Sequence, residues 1–185
     1  MRRARDPSSA AFTIRAERPA DADLIDAVVG AAFGSPDEPR LVRAIRASGN
    51  FVPELSLVAE LGGDVVGHVM VSAASLQDGD AHCRIATLSP LAVMPSSQRR
   101  GIGSALVREV IRRADDCGEP LVVLQGSPGF YGRLGFEYSV PHGIQMTLPT
   151  WAPAQAAQMV RLSHYYPSIR GRVVLPPAFN EVNEH

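Results

Sequence analysis

Lysine is absent from this sequence: all 18 of its basic residues are arginine. Against 19 acidic residues they leave a formal net charge of -1, without the basic excess that grips a nucleic-acid backbone. The arginine bias is a drift of composition, and no nucleic-acid partner is expected. Cysteine is nearly absent. Cys83 and Cys117 are the only two; neither belongs to a CxxC pair or stands near a histidine at metal-ligand spacing, which argues against a disulfide framework or a zinc site. They read as reduced, buried thiols, and no metal is expected. Long apolar runs are also missing. None approaches the ~18 to 20 residues of a membrane helix, and Arg2, Arg3 and Arg5 are not followed by the apolar core of a secretory signal. The expected location is the cytoplasm, with no membrane partner.

What remains is an ordinary globular balance, 185 residues with 45% hydrophobic and 20% charged, enough to close one core. Residues 1 to 10 are rich in Arg, Ser and Ala without any period and are expected to be disordered. From 11 to 185 the pattern reads as a single domain. Phe12 to Glu17 alternates like a strand. After Pro19, the residues Leu24, Ile25, Val28, Val29, Ala32 and Phe33 recur at helical spacing until Gly34 and Pro36. Glu38 to Ala47 gives a second helix. Leu55 to Leu61 and Val65 to Leu76, joined by Gly62, Gly63 and Asp64, form an expected antiparallel hairpin. Cys83 to Val93 is a further strand. Ile102, Leu106 and Val110 mark an amphipathic helix running to about Cys117, and Leu121 to Leu124 is a short apolar strand. That strand, helix and strand make a βαβ unit with a right-handed crossover, so these two strands are expected to be parallel. Ile144 to Leu148 and Gln158 to Leu162 are two more candidate strands, and Gly171 to His185 is expected to pack as a tail or edge.

Chemistry enters at Gln98, Arg99, Arg100, Gly101, Ile102 and Gly103. This QxxGxG stretch lies between a strand and a helix, where unpaired main-chain N–H groups, extending to Ser104, and the helix dipole converge on one spot. Such a spot holds an anion such as a pyrophosphate. Side chains at 101 or 103 would hold the phosphates off, and Arg99 and Arg100 add charge at the rim. No GK[ST] follows, so a P-loop nucleotide site is not expected. Upstream, Pro90 interrupts Leu88 to Val93. Proline has no N–H for the ladder, so a bulge or splay is expected beside it, freeing main-chain groups of Leu91, Ala92 and Val93 to pair with an extended amide ligand.

Leu88 to Ala114 resembles motif A of the GCN5-related N-acetyltransferase (GNAT) superfamily, and Gly126 to Phe136 resembles its motif B, with the YxxxGF pattern at Tyr131. The resemblance spans roughly residues 12 to 148. The segments Met159 to Leu162 and Val173 to Phe179 resemble a bacterial group of N-acetyltransferases called YhbS-like. The fold so implied is α/β: a mixed, mostly antiparallel twisted sheet, with a splayed parallel pair at the fourth and fifth strands and helices on both faces. It makes 11 to 185 one acyl-CoA N-acyltransferase domain with a C-terminal extension from about 149. It also implies acetyl-CoA as co-substrate and a primary amine as acceptor, either a small molecule or a protein lysine or N-terminus.

In this reading Tyr131 is the general acid for the departing thiolate. A phenol near pKa ~10 facing a thiol near ~8.5 is mismatched by ~1.5 units, so full transfer is uphill by ~2 kcal/mol and a hydrogen bond suffices. Relatives often carry an asparagine near the pantetheine arm; Leu121 to Tyr131 has none, and Ser127 or main-chain groups are expected to substitute. No general base is legible: the fourth strand offers Ser89 among apolar residues, and a water chain is the expected proton route. His68 and His82 read as core or surface histidines. Glu38, His142 and His164 lie in segments that the resemblance places beside the acceptor groove. The lack of a definite base supports an alternative, a non-catalytic module that senses acyl-CoA. A monomer or homodimer is expected.

Overall fold

The computed structural model describes residues 11–182. The stretch 1 to 10 expected to be disordered therefore lies outside the described residues, as do the last three of the C-terminal segment. In chain order the elements are β1 (Thr13–Ala16), α1 (Ala22–Phe33), α2 (Asp37–Arg46), β2 (Ser56–Leu61), β3 (Asp64–Asp78) and β4 (Ala81–Val93). Then come α3 (Ile102–Asp116), β5 (Leu121–Gln125), α4 (Pro128–Tyr131), β6 (Glu137–Tyr138), β7 (Ile144–Gln145), β8 (Ala157–Arg161), β9 (Gly171–Val174) and α5 (Ala178–Val182).

The described strands form one sheet in the order β1-β2-β3-β4-β5-β8-β6. Its pairings are antiparallel except β4 with β5 and β7 with β9. The fold class implied by the resemblance is the one observed. β3 is long enough to serve two neighbours on one edge: Asp64 to Met70 pair with β2, and Ser75 to Gln77 pair with β9.

Side-chain alternation along the strands sends two sets of residues to opposite faces. Leu57, Ala59, Val69 and Val71 pack under α3, whose Ile102, Leu106, Val107 and Val110 are all buried. Fully burying four such side chains contributes roughly 6–12 kcal/mol before chain entropy is counted. Val58 and Met70 point the other way, against Ile25, Val28 and Val29 of α1 and Leu41, Val42 and Ile45 of α2. α1 stops where the spacing predicts. Gly34 takes a left-handed φ of 68° and returns its N–H to the Gly30 carbonyl at 2.8 Å, a conformation that glycine adopts without steric cost. The far end of that second face is closed by Ile144, Met159 and Val173 over Leu76, Ile85 and Val123.

Three expectations change. The strand expected over Ile144 to Leu148 ends at Gln145: its pairing with β9 stops there, and Met146, Thr147 and Leu148 line a cavity instead. Gly171 to Val174, expected to pack as a tail or edge, is a strand held between β3 and β7. Cys117 is an exposed free thiol rather than a buried one, since it caps the solvent end of α3; Cys83 is half-buried. Among the described residues no helix is long and apolar enough to cross a membrane.

Candidate active site

β4 and β5 pair at only two positions, Ala86 with Val122 and Thr87 with Val123. Beyond them β4 stays on β3 through Val93, while β5 stays on β8 through Gln125, so the strands part and leave a notch in the sheet. Pro90 sits at the point of departure. Val69 faces Leu91 and Val71 faces Leu88, which leaves Ser89 and Pro90 together opposite Met70. That two-against-one register is a bulge, found where the missing proline N–H predicts it.

On the α3 side the notch opens into a cleft of about 450 Å³. It is lined by Leu91 and Val93 of β4, by Gln98, Arg99, Gly101, Ile102, Gly103 and Ser104 of the loop and first helical turn, and by Phe130 and Arg133 opposite. The loop is held in an unusual conformation. Arg99 has φ 59° and Gly101 φ 80°; a left-handed arginine is uncommon enough to mark a conformation that the surroundings impose. The Gln98 side-chain amide donates to the Val93 carbonyl at 3.1 Å, so Gln98 staples the loop to the end of β4. α3 begins at Ile102 and the first helical bond runs from Ala105 N–H to the Gly101 carbonyl, 3.0 Å. The N–H groups just before Ala105 are thus left without helical partners, at the positive end of the dipole. A Cβ on Gly103 would sit 3.6 Å from Val93, 3.8 Å from Leu91 and 3.8 Å from Phe130. A glycine here leaves the floor of the cleft without a side chain.

The remaining residues singled out from the sequence lie around this cleft. Ala92 turns its methyl into the α1/α2 core and has only main chain to offer. Arg100 is exposed and does not line the cleft. Ser127 does not line the cleft: it borders a separate cavity with Gln125, Gly126 and Trp151, and its carbonyl accepts the N–H groups of Phe130 and Tyr131 at 3.1 and 3.0 Å, which starts α4. Sequence reasoning passed over Phe130 and Arg133. Their only signal was membership of the turn that carries Tyr131.

Tyr131 is held by aromatic edges, Phe130 at 4.8 Å between ring centroids and Phe136 at 5.5 Å. Gly126 lies beneath the ring, so close that a Cβ there would fall 2.4 Å from Tyr131 Cε2. Burial pushes the phenol up to about 12, and its hydroxyl makes no hydrogen bond to another described residue.

On the opposite face of the sheet, a second cavity of about 700 Å³ meets the same strand at Thr87, Leu88, Ser89 and Pro90, and β5 at Gln125. Its other walls come from Phe33, Glu38 and Leu41 of α1 and α2, from the 146–151 segment, and from Leu175 and Phe179 at the C-terminus. Of the three polar residues whose segments the resemblance sets beside an acceptor groove, Glu38 lines this cavity. His142 instead pairs with Glu137 at 3.1 Å, and His164 neighbours Ser163; neither lines the cavity. His68 is fully buried beneath α1, with Nδ1 donating to the Leu57 carbonyl at 3.1 Å, and desolvation lowers it to about 4.

Comparison with known proteins places this architecture. Residues 13–139 match the family described as Acetyltransferase (GNAT) domain. The chain is 34% identical over 137 residues to the uncharacterized N-acetyltransferase YhbS of Escherichia coli K12, covering 74% of this chain and 80% of that one. A crystal structure of Escherichia coli YhbS in complex with CoA superposes with a TM-score of 0.85 at 31% identity, over 96% of both chains. A GNAT family acetyltransferase from Brucella melitensis, in complex with acetyl-CoA, gives 0.74 at 31% identity, over 92% of this chain and 99% of that one.

Proposed function

The chain belongs to the GNAT acetyltransferase family and is an acyltransferase, and from that premise we propose that it moves an acetyl group from acetyl-CoA to a primary amine by direct attack. The observation that carries this reading is the sharing of one strand by two cavities. Leu91 and Val93 of β4 line the cleft on one face, and Thr87 to Pro90 line the cavity on the other. A ligand threaded through the notch brings its end from the first space to the second.

Acetyl-CoA supplies the thioester whose C–S bond breaks as the C–N bond to the amine forms. The N–H groups around Gly101 to Ser104 hold the diphosphate, with Arg99, Arg100 and Arg133 adding positive potential at the rim. Main-chain groups of Leu91, Ala92 and Val93 pair with the pantetheine amides in the manner of an added strand. Gln98 fixes the loop, and Ser127 stands on the far side of the turn from Phe130. Tyr131 donates a hydrogen bond to the sulfur as negative charge develops there. A donor with its pKa at about 12 is a poorer acid than an ordinary phenol, so Tyr131 stabilises the thiolate without giving up its proton. The attacking nitrogen loses its proton to water.

The test is amine-dependent release of free thiol from acetyl-CoA, followed with a chromogenic disulfide. Release that rises with amine concentration and saturates supports the transferase. Acetyl-CoA binding without release across a broad amine panel overturns it in favour of a module that only senses acyl-CoA.

A further inference from the structure

The cavity on the α1/α2 face carries information about the acceptor. Glu38 is the one charged side chain lining it among the described residues. One of its carboxylate oxygens, Oε2, is shut away from solvent and has no hydrogen-bond partner, and the residue joins none of the described ion pairs. An unpaired, desolvated carboxylate oxygen is costly in a folded protein. The first turn of α2 offsets part of that cost, since Glu38 lies at the positive end of its dipole. A cation from outside would offset the rest.

Aromatic and aliphatic groups line the same cavity. Phe33 and Trp151 contribute aromatic side chains to the lining, and Leu41, Leu88 and Leu175 supply apolar wall. Phe33 and Trp151 are also among the most exposed large apolar side chains described, Trp151 at 79%. Of the neutral polar groups in the lining, Thr87, Ser89 and Gln125 lie on the splayed strands and Thr147 on the 146–151 segment.

On the transferase reading, and resting on it, we infer that the acceptor is a small primary monoamine with an aromatic or aliphatic body, its ammonium paired with Glu38. One carboxylate balances one positive charge. A second ammonium, as in a polyamine, would be left uncompensated against leucine and methionine walls. The volume of about 700 Å³ lies in the range of sites that enclose a small molecule. The aromatic side chains add attraction for the cation as well as contact for the body. The ammonium releases its proton before attack, so Glu38 governs acceptor binding and KM rather than the bond-breaking step.

The chain has one tryptophan, Trp151, which borders this cavity and the one beside Ser127, so its emission reports on both and the Glu38→Gln comparison assigns the signal. The experiment titrates the full chain, preloaded with CoA, with 2-phenylethylamine and with its neutral analogue 2-phenylethanol, for wild type and Glu38→Gln. The acetyl-transfer assay is run in parallel with 2-phenylethylamine, spermidine and an Nα-acetyl-lysine peptide. Glu38→Gln keeps the shape of the side chain and breaks no described hydrogen bond or ion pair, so it is expected to fold, which a circular-dichroism melt checks. The expected result is that the amine shifts Trp151 emission and binds at least tenfold more weakly to Glu38→Gln, while 2-phenylethanol binds both alike. KM for the amine rises at least tenfold in the variant, and kcat changes less than threefold. Equal binding of amine and alcohol, no effect of Glu38→Gln, or a higher kcat/KM for spermidine or the peptide would overturn the inference while acetyl-CoA binding stands. Failure to bind acetyl-CoA at all would overturn the transferase reading and this inference with it.

Discussion

Replacing Tyr131 by Phe removes one oxygen from a ring already clamped between Phe130 and Phe136, so the packing survives and the hydroxyl is tested alone. Burial raises the phenol to about 12, against ~8.5 for an ordinary thiol. Complete transfer of the proton is then mismatched by ~3.5 units, which at 1.36 kcal/mol per unit is uphill by ~5 kcal/mol. Transfer on that scale is a poor route, whereas a hydrogen bond to developing charge is worth ~1.5 to 3 kcal/mol. Tyr131→Phe is therefore expected to lower kcat by roughly 10- to 100-fold and to leave the Kd for acetyl-CoA within threefold. The pH profile supplies a second check. A phenol at about 12 stays protonated through the working range, so wild type and Tyr131→Phe are expected to share one profile up to pH ~10. Steady-state thiol release from pH 6 to 10, with calorimetry for binding, measures both quantities. An unchanged kcat would remove Tyr131 from the reaction. A wild-type limb near pH 9 to 10 that vanishes in Tyr131→Phe would show a proton-transferring acid and refute the burial argument.

Gly126→Ala places a methyl 2.4 Å from the Tyr131 ring and forces the ring or the chain to move. It is expected to cost about 1–3 kcal/mol of stability and to lower kcat, with little further loss in kcat when combined with Tyr131→Phe; thermal melts and the double-mutant cycle check this. His68 is expected to make the fold acid-sensitive. Its folded pKa of about 4 lies below the unfolded value of ~6.5, so between these limits the unfolded chain binds more protons and stability falls as pH falls. The loss accumulated by pH 4 is on the order of 3 kcal/mol. Glu17, Arg46 and Asp26 also act on this ring, but desolvation dominates. Urea midpoints at pH 7 and pH 4.5, for wild type and His68→Leu, are expected to show a smaller drop in the variant.

The parts of the fold that were legible in the sequence each depend on a strong local constraint. Helical spacing from Ile102 to Val110 is one, since those side chains all meet the same face of the sheet. Pro90 is another, because the loss of one N–H breaks the ladder wherever it falls. Glycines 101 and 103 mark the loop for the same kind of reason, one by its positive φ and the other by the space it leaves. Strands β6 and β9, with two and four residues, are too short to show a period and exist through their partners β8 and β3. The contribution of Leu175 and Phe179 to the second cavity was illegible likewise, because it depends on where β9 docks and not on any pattern of its own. Among the charged residues in the acceptor segments, only the fold distinguishes Glu38, which lines the cavity, from His142, which is paired to Glu137.

The central claim is that the cleft between β4 and α3 binds acetyl-CoA through the Gly101 to Ser104 turn. Calorimetric titration of the wild type with acetyl-CoA, beside the double variant Gly101→Asp and Gly103→Asp, tests it most directly, because two carboxylates would then stand where the diphosphate has to lie. The account predicts saturable one-site binding by the wild type and none by the variant, with both giving the same folded circular-dichroism spectrum. Absence of wild-type binding, or equal binding by a folded variant, would contradict it.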